Sequence, residues 1–541
     1  MQTLYYGGSI RPIRGGPDRV EALIVEDGRI SFCGALEDAR ALLCGQRVRR
    51  VDLQGRALLP AFIDAHSHFS KAVQYSTMAD LSNCHSFDEI AHTLSVFQKT
   101  HPLSPDEVLW GFGYDENTLK EHTHPTCTLL DRACGGAPGL IGQAANHMAV
   151  ASSALLHLAG IDAHTPDPPG GRFGRMPGSK APDGYAEEPP ALAPLYQAAM
   201  ARTHIDLHRQ IGAMQRVYLE QGITTVQDGA ATFQDVCDMT ALAEDGLLDL
   251  DVIAYPARSP DIEKIFAKFA AYDGCYHGHY KLGGCKMLLD GSPQGGTAWL
   301  TAPYADGSGS CGQSALTDAE ALAFTRWSIN HGHQLLAHCN GDAAADQFLH
   351  CYRQALCQSH FLAKGALRPV MVHCQTVRPD QLAQMMPLGM IPSFFVAHIW
   401  YWGDVHWHRL GPRRACRISP LHTALRLGLP FTLHQDTPVL RPNMLETVWC
   451  AANRVTASGR QFDLDERIPV YEALRAVTCN AAYSYFEEEE KGALVPGMRA
   501  DLVLLDRDPL AVPRTEVRRV RVLETIKDGR TLYRAGCPGL C

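Results

Sequence analysis

The chain has 541 residues, of which 46% are apolar and 20% charged, values typical of a globular protein with a large core. Its 49 basic and 58 acidic residues give a net charge of −9, which argues against a general nucleic-acid binder, since such proteins usually carry a basic surplus. It also has no long run of Lys or Arg that would suit an anionic membrane surface, so we expect neither nucleic acid nor membrane as a partner.

The N-terminal region has the pattern of a small β domain. Residues 21–33, EALIVEDGRISFC, contain two β-rich runs joined at Asp27-Gly28, a pair that favours a type I′ hairpin turn. A short helix and a further strand with a turn at Gln54-Gly55 follow. We therefore predict that residues 1–57 are mainly β.

The central region alternates apolar β runs with helix-like stretches such as TDAEALAFTRWSINHG. The β runs are ITTVQD (223–228), QLLAHC (334–339), PVMVHC (369–374) and LPFTLHQD (429–436). This alternation indicates a parallel sheet, and we predict a (β/α)8 barrel over residues 58–489. Polar residues end these runs, at the face where barrel active sites gather: Asp228, His338, His373 and Asp436.

Residues 101–195 fit the alternation poorly. They are rich in Pro, Gly and His, as in HTPDPPGGRFGRMPGSKAPDG. We predict that they form an insertion that serves as a lid or substrate wall.

The C-terminal region repeats the strand and turn pattern of the N-terminus. Turns are indicated at Pro496-Gly497 and Asp528-Gly529, with the apolar strand DLVLLD between them. We predict that residues 1–57 and 490–541 form one composite β-sandwich. The preceding EEEE run, residues 487–490, is expected to be a solvated surface turn.

The stretch AFIDAHSHF, residues 61–69, carries two histidines one residue apart. Side chains alternate across a strand, so His66 and His68 point to the same side and can bind one cation. Two structural histidines would show the same pattern. The strand-terminal positions of His338, His373 and Asp436 favour a shared metal site instead.

Several motifs in order resemble the amidohydrolase superfamily, and within it amidohydrolase family 3, which includes N-substituted formamide deformylases. They are AFIDAHSHF, GFGYDE, TPDPPGG, KMLLDGSPQGGTA, LLAHCNGDAA, PVMVHCQ, the YWGDVHWHRLGPRRA run, TLHQDTPV and VPGMRADLVLLD. The resemblance covers nearly the whole chain. It implies the same barrel and composite β-sandwich.

The resemblance also implies roles for individual residues. His66, His68, His338, His373 and Asp436 match metal ligands for one or two divalent ions, expected to be zinc. Lys286 falls where related enzymes carry a lysine that is carboxylated to bridge two metals; the alternative is an ordinary lysine paired with an acid such as Asp290. The expected catalytic residues are Asp436, His338 and His373, with Asp436 transferring protons.

Substrate contacts are expected from four residues. His147 lies in the stretch AANHMA, and His398 and Trp402 lie in an aromatic segment, residues 394–414, that is either an apolar substrate wall or a hydrophobic anchor. Asp290 follows the Lys286 motif. Two motifs depart from the related patterns: DGSPQGGTA stands for DGSLGSRTA, and HCNGD stands for HAIGD. Both departures fall near the expected pocket, so the resemblance does not identify the substrate.

The expected function is metal-dependent hydrolysis of a non-peptide C–N bond in a small molecule, such as an N-substituted formamide, by metal-activated water. Deamination or the opening of a cyclic amide or urea is the alternative, and a non-catalytic binding or regulatory protein is a third class. The N-terminus lacks a signal-peptide pattern, and the 18 scattered cysteines suit reduced thiols, so a cytoplasmic location is expected. Assembly as a homodimer is left open.

Overall fold

The computed structural model describes residues 2–16, 19–45, 47–101, 104, 107–144, 147–203, 207–359 and 366–536. The chain divides into two compact units: unit 1 comprises Met1–Ser70 and Ile211–Cys541, and unit 2 comprises Lys71–Gln210. A search of the described helices finds none that is long and apolar enough to span a membrane.

The described strands are β1 Thr3–Ile10, β2 Val20–Glu26, β3 Arg29–Gly34, β4 Arg49–Asp52, β5 Ala57–Pro60, β6 Phe62–Ile63, β7 Ala79–Asp80, β8 Leu109–Tyr114, β9 Gly139–Gln143, β10 Met148–Ala151, β11 Arg172–Arg175, β12 Pro182–Glu187, β13 Ile223–Ala231, β14 Asp251–Pro256, β15 Tyr280–Leu282, β16 Gly284–Leu288, β17 Gln334–Cys339, β18 Val370–His373, β19 Ile391–Phe394, β20 Thr432–Leu433, β21 Leu502–Leu505, β22 Val522–Lys527 and β23 Arg530–Arg534.

The described α-helices are α1 Leu36–Leu42, α2 Phe69–Tyr75, α3 Phe87–Thr100, α4 Cys127–Ala133, α5 Ser153–Leu158, α6 Pro189–Met200, α7 Leu207–Leu219, α8 Phe233–Glu244, α9 Ile262–Lys268, α10 Asp318–Asn330, α11 Asp342–Gln358, α12 Pro379–Met385, α13 His398–Leu410, α14 Pro412–Ala415, α15 Leu421–Arg426, α16 Met444–Asn453, α17 Val470–Ala476 and α18 Cys479–Ser484. The predicted helix TDAEALAFTRWSINHG is α10, and it begins with a capping box between Thr317 and Glu320.

Strands from both chain ends lie in one sheet of unit 1. Its order is β23-β22-β21-β5-β1-β2-β3, with β4 paired to β1. The N-terminal and C-terminal strands join where β21 pairs with β5 in antiparallel register, Leu502 opposite Pro60. The predicted Asp27-Gly28 and Asp528-Gly529 turns are present, with positive φ at all four residues. The two-layer sandwich and its boundaries stay predictions, and residues 537–541 of its predicted range lie outside the described residues.

Unit 1 also contains two parallel sheets, with strand orders β15-β14-β13-β6 and β16-β17-β18-β19-β20. Strands such as β14 and β18 are buried along their whole length, as expected for parallel strands covered on both faces. Within the described residues the strands pair as two separate sheets, so a closed eight-stranded barrel is not shown. The sheets approach each other at two places: Ala257 bridges to Lys286, and the backbone N–H of Asp436 donates to the carbonyl of His66.

Unit 2 is built on a six-stranded sheet with the order β11-β12-β10-β9-β8-β7. The pairs β7–β8 and β8–β9 are parallel, and the remaining pairs are antiparallel. Apolar side chains on the two sides of this sheet form two separate cores. The predicted insertion, residues 101–195, falls inside this unit, and its role as a lid or wall stays a prediction.

Five buried charges connect the parallel sheet of unit 1 to its C-terminal strands. Asp251 at the start of β14 contacts Lys491, and it lies 2.8 Å from Lys527 on β22. Glu487 lies 2.5 Å from Lys281 and 3.1 Å from Lys491. Burial raises the pKa of Asp251, but the charges of Lys491 and Lys527 hold that pKa well below its ordinary value. The EEEE run is therefore not wholly a solvated turn, because its first glutamate is buried and paired.

Replacing Lys491 with Met is expected to destabilise unit 1 strongly. The change leaves Asp251 and Glu487 buried with less positive charge, and breaking a buried ion pair in this way costs about 3–5 kcal/mol. The loss should appear as a lower urea midpoint by circular dichroism. Lys264→Met is the matched control: Lys264 is exposed and 3.9 Å from Asp261, so a change of about 1 kcal/mol or less is expected. Equal midpoints for the two variants would contradict the proposed contribution of the buried cluster.

Candidate metal centre

Three buried side chains converge at the C-terminal ends of parallel strands of unit 1. His66 follows β6, His373 is the last residue of β18, and Asp436 follows β20. One ligand atom from each lies within 4.8 Å of the other two. His373 and Asp436 both have left-handed backbone conformations, with φ of 76° and 59°; such conformations are uncommon for non-glycine residues and, apart from turns, cluster at functional sites.

The hydrogen bonds of His66 and His68 determine which ring nitrogens carry protons. The amide nitrogen of Gln227 donates to the carbonyl of Ala65 at 2.9 Å, so its oxygen faces His66, and His66 Nδ1 donates to that oxygen at 2.5 Å. His68 Nδ1 donates to the carbonyl of Gly229 at 2.6 Å. The Nε2 atoms of both rings are therefore unprotonated, and each carries a lone pair. Metal-binding histidines are usually oriented in this way.

The carboxylate of Asp436 faces these two lone pairs. Its Oδ1 atom lies 3.2 Å from His66 Nε2 and 3.3 Å from His68 Nε2, yet it is buried without a hydrogen-bond partner among the described residues. Three lone pairs that face one another suit a cation, since a cation would satisfy all of them.

His338 lies beside the triad and is oriented by Asp290. The ring of His338 is 4.5 Å from that of His373, and its Nδ1 donates to Asp290 Oδ1 at 3.1 Å. Asp290 also accepts the backbone N–H groups of Trp299, Asn340 and Gly341. With both oxygens engaged by the protein, Asp290 is better suited to orient His338 than to bind substrate.

Lys286 is buried and reaches the same centre from β16. Its Nζ lies 2.8 Å from His66 Nε2, and no ion pair with Asp290 forms among the described residues. Burial lowers the pKa of Lys286 to about 8, although the charge of Asp436 opposes the shift. The nitrogen therefore faces the ligand atoms with a weakened preference for its charged form.

Two buried residues at the centre are not among those predicted from sequence. His434 lies two residues before Asp436; its Nε2 is 3.2 Å from His373 Nδ1, and its Nδ1 is 2.8 Å from the hydroxyl of Ser393. Gln227 precedes the predicted Asp228, whose carboxylate instead accepts the backbone N–H and hydroxyl of Ser70. Alternation along a strand, the signal that links His66 and His68, also links His434 to Asp436.

Replacing Gln227 with Leu is expected to weaken metal binding. The change removes the acceptor that holds His66 Nδ1, and loss of such a supporting partner typically costs about 10–100-fold in metal affinity. Competition with a fluorescent chelator measures the metal affinity of each variant. Gln215→Leu is the control, because Gln215 is also buried in unit 1 but holds the backbone of Leu247, Asp249 and Leu250. Equal metal affinity in the two variants would refute an orienting role for Gln227.

The predicted substrate residues lie in different parts of the molecule. His398 and Trp402 are on α13, with ring centres 4.7 Å apart, and both are buried. His147 belongs to unit 2, where its Nδ1 lies 3.0 Å from a carboxylate oxygen of Glu188. Ala145 and Asn146 of the AANHMA stretch lie outside the described residues.

The departure at DGSPQGGTA has a clear structural counterpart. In DGSPQGGTA, Gly296 stands where the related DGSLGSRTA pattern has arginine. Gly296 has φ of 76°, and a Cβ there would lie 2.9 Å from Nη1 of Arg409 on α13. Arg409 thus occupies the space beside this position, and its guanidinium contacts Asp306 at 3.0 Å.

Comparisons with known proteins extend over nearly the whole chain. A model of the amidohydrolase family matches residues 49–533. The N-substituted formamide deformylase of Arthrobacter pascens is 26% identical, over 97% of this chain and 97% of its own length. Protein LONG AFTER FAR-RED 3 of Arabidopsis thaliana is 26% identical, over 95% of this chain and 88% of its own.

Solved structures show the same architecture. The crystal structure of an uncharacterized metal-dependent hydrolase from Pyrococcus horikoshii OT3 is similar with a TM-score of 0.77 at 23% identity, covering 95% of this chain and 99% of that chain. A second, from Pyrococcus furiosus, has a TM-score of 0.74 at 22% identity and covers 94% of this chain and 100% of that chain. The chain therefore has the α/β fold of these two structures.

Proposed function

The chain belongs to the amidohydrolase family, and on that premise we propose that it hydrolyses a C–N bond, other than a peptide bond, in a small amide. The observation that carries the proposal is the convergence of lone pairs from His66 and His68 on the unpartnered carboxylate oxygen of Asp436. This arrangement suits a divalent cation and leaves a carboxylate beside it to transfer protons.

The residues present fit a metal centre for one or two ions, with zinc as the expected metal. The residues that would hold it are His66, His68, Lys286, His338, His373 and Asp436. Nitrogen and carboxylate ligands of this kind suit zinc. A bound divalent cation lowers the pKa of water and polarises a carbonyl oxygen.

The protein residues would carry the remaining steps. Asp436 accepts the proton of the attacking water and passes it to the nitrogen that leaves, so the C–N bond breaks to give a carboxylic acid and an amine. His338 or His373 contacts the oxygen on which negative charge develops, and Asp290 keeps His338 in position.

Lys286 is proposed to be carboxylated. The neutral lysine amine combines with carbon dioxide to form a carbamate and release one proton, which gives an anionic side chain with two oxygen ligands. The full burial of Lys286 and its 2.8 Å separation from His66 Nε2 support this, because an ammonium would compete with a metal for that lone pair.

The proposed substrate is an amide with an apolar group, and N-substituted formamides are the first candidates. The buried Trp402 beside His398 offers an apolar contact and a hydrogen-bonding ring. The name of the Arthrobacter relative supports formamides as a starting point at 26% identity.

A product-resolved screen tests the proposal. Zinc-loaded protein is incubated with N-substituted formamides, other small amides, cyclic ureas and amino-purines, and products are identified by mass spectrometry. Release of formate and a primary amine supports formamide hydrolysis; ammonia or a ring-opened acid would favour the deaminase or ring-opening alternative. Saturable binding of an amide without any product would point to a binding protein and reject the hydrolase.

A further inference from the structure

Two stacked histidines lie on α13, and one of them, His406, has no role in the chemistry described above. His398 and His406 are buried, their ring planes differ by 3°, and their centres are 5.3 Å apart. His398 Nδ1 lies 3.0 Å from His406 Nε2, so a single proton lies between these two nitrogens. The other ring nitrogen of His406, Nδ1, is buried without a hydrogen-bond partner among the described residues.

That unpartnered nitrogen indicates which ring donates. If His398 Nδ1 carried the shared proton, neutral His406 would carry its own proton on Nδ1, as a buried N–H without an acceptor. Buried N–H groups without partners are rare, whereas acceptors without partners are tolerated more often. The favoured arrangement therefore has His406 Nε2–H donating to His398 Nδ1. His398 then carries its own proton on Nε2.

Burial keeps both rings neutral. It lowers the pKa of His398 well below its ordinary value, and burial together with the charge of Arg409 lowers the pKa of His406 to about 3. A neutral His398 protonated on Nε2 can donate a hydrogen bond there and cannot accept one. Within the described residues this Nε2 atom has no partner, and it is not among the fully enclosed unpartnered atoms.

His398 lies close to the metal centre of the same unit. The ring of Phe395 is 4.5 Å from His398 and 6.1 Å from His373. One aromatic side chain therefore neighbours both His398 and the metal-site histidine His373. The negative charge of Asp436 acts on His398 and opposes the lowering of its pKa by burial.

We propose that His406 is a positioning residue that holds His398 as a neutral Nε2–H donor to the carbonyl oxygen of the substrate. The proposal rests on the proposed function. It assigns His398 to stabilising the negative charge that develops on that oxygen, and it excludes His398 as the base that activates water. It also requires a substrate whose carbonyl oxygen is free to accept a hydrogen bond.

Nitrogen NMR of the wild-type protein tests the proton positions without depending on any variant's folding. Protein labelled with 15N-histidine is compared with His398→Gln to assign the His398 signals. We expect a protonated Nε2 and an unprotonated, hydrogen-bonded Nδ1 in His398. A protonated Nδ1 in His398 would overturn the proposal, and this result is independent of whether the protein is a hydrolase.

A matched pair of variants tests the consequence for catalysis. His406→Gln keeps an N–H donor for His398, whereas His406→Leu keeps bulk and removes the donor. We expect kcat to fall about 10–100-fold in His406→Leu, less than the about 10²–10³-fold typical of losing an oxyanion donor outright, and to stay near wild type in His406→Gln. Metal content and KM should change little in either. Equal losses in both variants, or full activity in His406→Leu, would overturn the positioning role.

Discussion

Asp436→Asn is expected to lower kcat by about 10²–10⁴-fold, the range that loss of a general acid–base group usually costs. Asparagine keeps the shape of the side chain and an oxygen toward His66 and His68, but it cannot accept and return a proton at neutral pH. Substrate binding should be affected less than turnover. Steady-state kinetics at saturating zinc, with the metal content of each preparation measured, would separate lost proton transfer from lost metal.

Asp235→Asn is the control for this substitution. Asp235 is buried in unit 1 but belongs to the capping box of α8, so its loss should cost some stability and leave the rate unchanged. The same comparison separates an enzyme from a binding protein. If Asp436→Asn keeps wild-type turnover, Asp436 is not the proton carrier. If neither protein turns over any amide yet both bind one equally well, the non-catalytic class is favoured.

Lys286→Ala is expected to lose metal and activity together. A bridging carbamate would supply two oxygen ligands, so its removal should cost more than the about 10–100-fold that loss of a supporting partner costs in metal affinity. Added acetate or propionate should restore part of both, because a small carboxylate can fill the space left by the side chain. Carbon NMR after growth with 13C-bicarbonate should show a carbamate signal in wild type that is absent from the variant.

Full activity and unchanged metal content in Lys286→Ala would rule out the bridge. They would instead favour a mononuclear site held by histidines and Asp436. Lys268→Ala is a suitable control for the acid-rescue experiment. Lys268 is on α9, and its Nζ lies near Cys237 and the rings of Phe233 and Phe269, so acetate should not change the activity or metal content of this variant.

Strand-terminal polar residues are the part of the site that sequence predicts well. Apolar runs of strand length, each ending in His or Asp, indicate that His66, His373 and Asp436 approach one another, and their ligand atoms do. Alternation alone does not say which of two adjacent residues faces inward. Gln227 rather than Asp228 reaches His66 for that reason, and only the pairing of β13 with its neighbours decides it.

Features that depend on distant partners are harder to predict. Glu487 begins an acidic run that looks solvated, but it pairs with Lys281, which is 206 residues away in sequence. The sheet that combines β5 with β21 can be anticipated because both chain ends have strand and turn patterns. Closure of the parallel strands into one barrel depends on side-by-side pairing, which periodicity does not encode, and the pairing here forms two sheets.

Elemental analysis of the purified wild-type chain and His66→Ala is the most direct test of the metal centre. His66 is fully buried, its Nδ1 is held by Gln227, and its Nε2 faces Asp436. We predict one or two equivalents of zinc or another divalent transition metal in wild type, and a marked loss in His66→Ala together with loss of activity. Wild-type protein that contains no such metal, takes up none on dialysis against zinc, and keeps its activity in chelator would contradict the account.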